Sequence, residues 1–193
     1  MALMQAGRSP SVTDVAEAAE VSRATAYRYF PTQAALVQAA VDEALGPILS
    51  WRSASADAGE RVEELFAFAY PRIDEYEATL RAALLQAMEQ WNRRRAGTLG
   101  DEAPIFRGYR REVLATALAP LRARVPAQDF DRLRQALSLI FGTEAFVVLK
   151  DIWGLDGEHA REVALWSAHA LVRAALADTD TERRTGGGRR QEA

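Results

Sequence analysis

The stretch from Ser11 to Gln38, SVTDVAEAAEVSRATAYRYFPTQAALVQ, limits the possible folds of this chain more than any other. It reads as two short helices joined by a tight turn, with a third beginning after them. Ser11 is a good N-cap, and Asp14 three residues on makes a weaker form of the capping box. Val12, Val15, Ala16 and Ala19 then lay an apolar stripe at helical spacing. The turn falls at Glu20-Val21, with Val21 as the apolar plug where the helices cross. Ser22 caps a second helix, Arg23 to Phe30, which Pro31 stops; Thr32 caps the next.

The second helix has an unusual surface. Ala26 and Phe30 point one way at i, i+4, while Arg23, Thr25, Tyr27, Arg28 and Tyr29 crowd the remainder. This mixture suits a DNA groove. Arginine pairs with guanine edges, tyrosine and threonine hydroxyls reach phosphates, and small Ala24 lets the backbone come close. The spacing alone fits an ordinary solvated amphipathic helix equally well.

The full string VSRATAYRYFPTQAAL closely resembles the DNA-binding head of the tetracycline-repressor (TetR) family. That family's hallmark is a Val-Ser-x-x-Thr-x-Tyr-x-x-Phe run, followed by a polar N-cap and an aliphatic helix. Val21, Ser22, Thr25, Tyr27, Phe30 and Leu36 fill those places here. The resemblance implies that Arg23, Ala24, Tyr27 and Arg28 face base edges. By the same resemblance Ser11, Thr25, Tyr29 and Gln33 hold phosphates, Thr13 adds a contact from the preceding helix, and Ser22 belongs to the DNA-binding set. It further implies a homodimer on a palindromic double-stranded operator, a small-molecule effector of unknown identity, and repression as the regulatory sense. Two residues depart from the family pattern: Glu20 stands where Gly is usual, and Gln33 where Lys often contacts phosphate. Met1 to Gly7 supplies only the last turn or two of the first head helix.

The balance of charge agrees with a local DNA contact rather than a general one. The 193-residue chain carries a formal net charge of −3, and all of its 24 basic residues but Lys150 are arginine. Within the first fifty residues Arg8, Arg23 and Arg28 face Asp14, Glu17, Glu20, Asp42 and Glu43. Affinity must therefore come from a patch on the second helix, with weak non-specific binding and a modest salt slope. Zero cysteines exclude disulfides, thiolate nucleophiles and cysteine metal sites. No run approaches a membrane span and no signal-peptide pattern opens the chain, so a cytoplasmic protein with no membrane partner is expected.

Beyond the head the chain reads as helical throughout. Thr32 to Leu45 forms a connecting helix that Gly46-Pro47 breaks, and Ser50 to Gly59 is the polar connector. Val62, Leu65, Phe66, Ala69 and Ile73 mark the next amphipathic helix, with Pro71 kinking its end. Tyr76, Leu80, Leu84, Ala87, Met88 and Trp91 continue on another, which dissolves at Asn92–Gly97. Its three arginines read as a solvated helix end. A further helix covers Ile105 to Val125.

The last two helices, 128–153 and 159–177, each carry two apolar faces. One face is expected to meet the core and the other a copy of itself. On the first, Ser138, Gly142 and Ala145 form a small-residue strip for close helix approach. On the second, Val163, Trp166, Ala170 and Ala174 form one stripe, and Leu165, Ala168, Val172 and Leu176 the other. Asp178 to Ala193, with its Gly triplet, reads as a disordered tail.

No catalytic set emerges. His159 and His169 are too far apart for i, i+4 ligands, and no phosphate loop or nucleophile elbow is present, so no enzyme, metal or cofactor is expected. The ligand-pocket candidates are Phe66, Tyr70, Met88 and Trp91 with Phe106, Tyr109 and Phe141; plain core is the competing reading of such a stripe. Glu144, on the most apolar helix, joins them as an acid that either meets a ligand or pairs with an arginine at a dimer contact.

The sequence thus predicts an all-α protein. A helix-turn-helix three-helix head with a truncated first helix (1–46) precedes a helical-bundle ligand-binding and dimerisation body (47–178) and a tail (179–193). The expected function is sequence-specific transcriptional regulation by a ligand-responsive homodimeric repressor. The alternative is a DNA-incompetent ligand-binding or interaction protein with a relic head.

Overall fold

The computed structural model describes all residues except Ser9, Ala103, Pro104, Phe106, Arg107 and 188–193, and for 179–187 only the backbone. Among the described residues there are ten α-helices and no strands, so the all-helical expectation holds. Two compact units emerge: 1–47 with 72–107, and 48–71 with 108–193.

The first unit holds α1 (Ala2–Gln5), α2 (Val12–Ala18) and α3 (Arg23–Tyr29). It also holds most of α4 (Gln33–Leu49) and all of α6 (Glu77–Arg95). The helices α2 and α3 pack on each other, and α1 packs on α6. Val12, Ala16, Ala26 and Leu36 form the head core, with Val15 and Phe30 packed against it. Beside that core lies a cavity of about 350 Å³, lined in part by Met4, Val15, Phe30 and Leu36.

Three sequence readings in this unit are corrected. Gly46-Pro47 does not break the connecting helix, because α4 runs on to Leu49 with Pro47 inside it. Proline removes the N–H that would bond the carbonyl four residues back, which is that of Glu43. The Arg72 guanidinium takes that role, donating to the Glu43 carbonyl at 2.9 Å and to the adjacent Ala44 carbonyl.

The buried face of α6 is Thr79, Leu80, Ala83 and Gln90, not the line through Met88 and Trp91. Gln90 fixes this rotation: its amide oxygen accepts from the Ile105 N–H at 2.9 Å and its amide nitrogen donates to Glu102 at 3.3 Å. Nor does the helix dissolve at Asn92. Arg93, Arg94 and Arg95 are good helix formers in a last turn whose dipole favours cations. Gly97, at φ +69°, ends it.

In α5 (Ala58–Glu75), Val62, Leu65, Phe66, Ala69 and Ile73 are all buried as the spacing predicts, and Pro71 lies within the helix. The rest of the second unit holds α7 (Tyr109–Ala117), a 3-10 turn (Ala119–Leu121), α8 (Ala127–Ile140), α9 (Thr143–Phe146), a π-helical segment (Val147–Ile152) and α10 (Gly157–Gly187). The expected helix 105–125 is therefore shorter, and Pro120 sits in the 3-10 turn.

The expected helix 128–153 is interrupted at Phe141-Gly142. Gly142 adopts φ +124° and ψ −169°, a region essentially confined to glycine. A Cβ there would lie 3.2 Å from an Arg110 guanidinium nitrogen, so the missing side chain seats an arginine. The proposed small-residue strip through Gly142 consequently does not exist as one helical face. The two stripes of α10 separate as expected: Ala168 and Val172 are buried, whereas Val163 and Trp166 are exposed. Its backbone remains helical to Gly187, so the expected tail is helical at least that far; 188–193 lie outside the described residues. Among the described residues no helix is long and apolar enough to cross a membrane.

Candidate nucleic-acid interface

Helix α3 is held by two caps and one tight turn. The Ser11 hydroxyl and backbone N–H donate to the Asp14 carboxylate at 2.8 and 2.7 Å, and the Asp14 N–H returns to the hydroxyl at 3.1 Å. This completes the capping box and holds the Asp14 carboxyl below its usual range, chiefly through the Ser11 backbone bond. The end of α2 closes by a Schellman pattern. The Val21 N–H bonds the Ala16 carbonyl at 3.0 Å and the Glu20 N–H that of Glu17 at 3.2 Å. Glu20 occupies the left-handed position of that motif, at φ +54°, where the missing family glycine would sit. Val21 is half exposed rather than a plug, and the crossing is filled by Ala16 and Ala26.

Ser22 caps α3 by accepting from the Thr25 N–H at 3.1 Å, and the two hydroxyls lie 2.9 Å apart. Ala26 is the buried residue of α3; Arg23, Ala24, Tyr27, Arg28 and Tyr29 all face solvent. The Arg28 guanidinium stacks 5.3 Å from the Tyr29 ring centre. Thr32 caps α4 through the Ala35 N–H, and the Gln33 amide donates back to the Pro10 carbonyl at 3.2 Å. Thr13 is half-buried on the first turn of α2. The ten residues singled out in the sequence thus share one compact head. Those with aromatic or guanidinium side chains are exposed, whereas the hydroxyls of Ser11 and Ser22 already serve as caps and that of Thr25 meets the Ser22 hydroxyl.

The family model described as bacterial regulatory proteins, tetR family, matches residues 8–40, the segment just described. This is a TetR-family head. The match supports a DNA-binding transcriptional regulator of the TetR family. No curated protein and no solved structure matches it.

The rest of the chain brings together only some of the pocket candidates. Phe66, Tyr70 and Phe141 are buried and form one aromatic cluster with Phe146, with ring centres 5.2–6.3 Å apart. The Tyr70 hydroxyl donates to the Ile140 carbonyl, and burial raises its pKa. Tyr109 is half-buried at the start of α7, and Phe106 lies outside the described residues. Met88 and Trp91 are 59% and 60% exposed on α6.

Glu144 does pair with an arginine, but within its own chain. Arg110 donates to it at 2.6 Å and to the Ser138 carbonyl at 3.1 Å. Sequence reasoning missed Arg110 because thirty-four residues separate the partners and nothing in either local pattern links them. Among the described residues no group of three or more His, Cys, Asp or Glu could hold a metal.

Proposed function

We propose that the chain is a ligand-responsive homodimeric repressor, acting in the cytoplasm, that reads a palindromic operator with one α3 per half-site. The observation that carries this reading is the surface of α3. Five exposed residues, two of them arginines and two tyrosines, stand on a helix whose single buried anchor is Ala26. A helix anchored by so small a side chain sits close to its support and projects its other faces outward. Arg23, Ala24, Tyr27 and Arg28 meet base edges, while Ser11, Thr13, Ser22, Thr25, Tyr29 and Gln33 steady the backbone.

The second copy binds through the exposed apolar residues of the expected terminal pair of helices. Leu139, Val148, Ile152 and Trp153 provide one side and Val163 and Trp166 the other. Such a set on two consecutive segments is larger than scattered surface apolars and supports an isologous contact. An effector enters the body beside Tyr70 and Phe141 and exchanges with the Arg110–Glu144 pair, favouring a dimer whose reading helices no longer match one turn of DNA.

The test is Arg28→Ala in the full chain, measured on a duplex enriched from a randomised library by the wild-type protein. Loss of about 1–3 kcal/mol with relaxed preference at one base pair is expected. Equal loss on every sequence removes the base-reading role, and failure of the wild-type chain to enrich any duplex favours the DNA-incompetent alternative.

A further inference from the structure

We infer that Glu17 is a specificity-determining residue, which cancels the charge of Arg23 towards phosphates while leaving its donors available to a base. The inference rests on the base-reading role proposed for Arg23. Glu17 stands on the last turn of α2 and Arg23 on the first residue of α3, across the tight turn. One Arg23 guanidinium nitrogen lies 3.4 Å from the Glu17 carboxylate, with the side chains 71% and 67% exposed. The pair therefore lies at the entrance of the reading helix, not in the core.

Phosphate and guanine reward different properties of an arginine. A phosphate rewards net positive charge and the release of counterions. A guanine edge rewards directional N–H donors aimed at O6 and N7. Glu17 contacts a single nitrogen of a group with five donors. Its charge offsets that of Arg23, yet most of the fork stays free. A head with so few basic residues then gains little on random DNA, and Arg23 contributes chiefly where a guanine is in register. An isolated exposed ion pair adds little to stability, so a purely structural role explains the contact poorly.

The experiment compares the full wild-type chain with Glu17→Gln and Arg23→Ala across a salt series. The probes are the library-enriched duplex and an unselected duplex of equal length. For Glu17→Gln, affinity for the unselected duplex should rise several-fold, and its log–log salt slope should steepen by about 0.9, one added phosphate contact. The enriched duplex should gain less, so that discrimination falls, while the thermal midpoint stays at the wild-type value. Equal shifts on both duplexes, or no shift on either, overturn the role of Glu17 while leaving base reading intact. Full discrimination by Arg23→Ala removes the base-reading premise and the inference with it.

Discussion

Glu20 shows what one side chain can cost. The Schellman closure of α2 requires a left-handed residue, and φ is +54° there. Glycine takes that conformation freely, because it has no Cβ to meet the following carbonyl oxygen. Glu20→Gly is therefore expected to stabilise the protein by about 1 kcal/mol, seen as a higher denaturation midpoint with unchanged slope. The turn was legible from sequence because its caps are local: Ser11, Asp14 and Ser22 act within three residues of themselves. Arg110, Arg72 and the Gly142 bend were not, because each depends on a partner far along the chain.

At the scale of helices, proline was the least dependable signal. Pro47 reads as a stop, yet α4 continues because Arg72 satisfies the carbonyl that proline leaves open. Arg72→Met is expected to cost about 1 kcal/mol, the net worth of such a bond. In a Pro47→Ala background the cost should shrink, since alanine restores the N–H that bonds Glu43; a double-mutant cycle in urea measures the difference.

The start of α10 carries a pH dependence. Asp156 caps the helix through the His159 N–H at 2.9 Å and also meets the His159 ring at 2.8 Å. The ring contact raises the His159 pKa above 6.5, aided by the charges of Asp156, Glu162 and Glu158, while the backbone bond from His159 chiefly holds Asp156 below 3.8. The histidine contribution is complete below pH 6.5 and is lost as pH rises through the raised value. The aspartate contribution is complete above pH 3.8 and is lost as pH falls through the lowered one. The melting temperature of His159→Gln should thus fall furthest below wild type near about pH 5–6, and the gap should close above neutrality.

For the molecule as a whole, periodicity revealed that the last helices carry more apolar surface than one core can cover. It could not reveal that the first of them bends at Gly142, because an unbroken apolar run looks the same whether its backbone is straight or bent. Placing a charge at the centre of the exposed stripe, Trp166→Glu, should hold the chain as a monomer in sedimentation experiments and weaken binding to a two-half-site duplex far more than to a single half-site.

The same surface gives the protein an optical signature. Of its four tryptophans, Trp51 is buried, whereas Trp91, Trp153 and Trp166 are 60%, 72% and 70% exposed. The emission of an isolated chain is therefore expected at the red end of the tryptophan range, dominated by indoles in water. In the proposed dimer Trp153 and Trp166 would leave water together, and the emission is expected to move to the blue on pairing. Trp91, on α6 and outside the proposed contact, is expected to stay in water, so the shift in the protein's own fluorescence would follow pairing without any label.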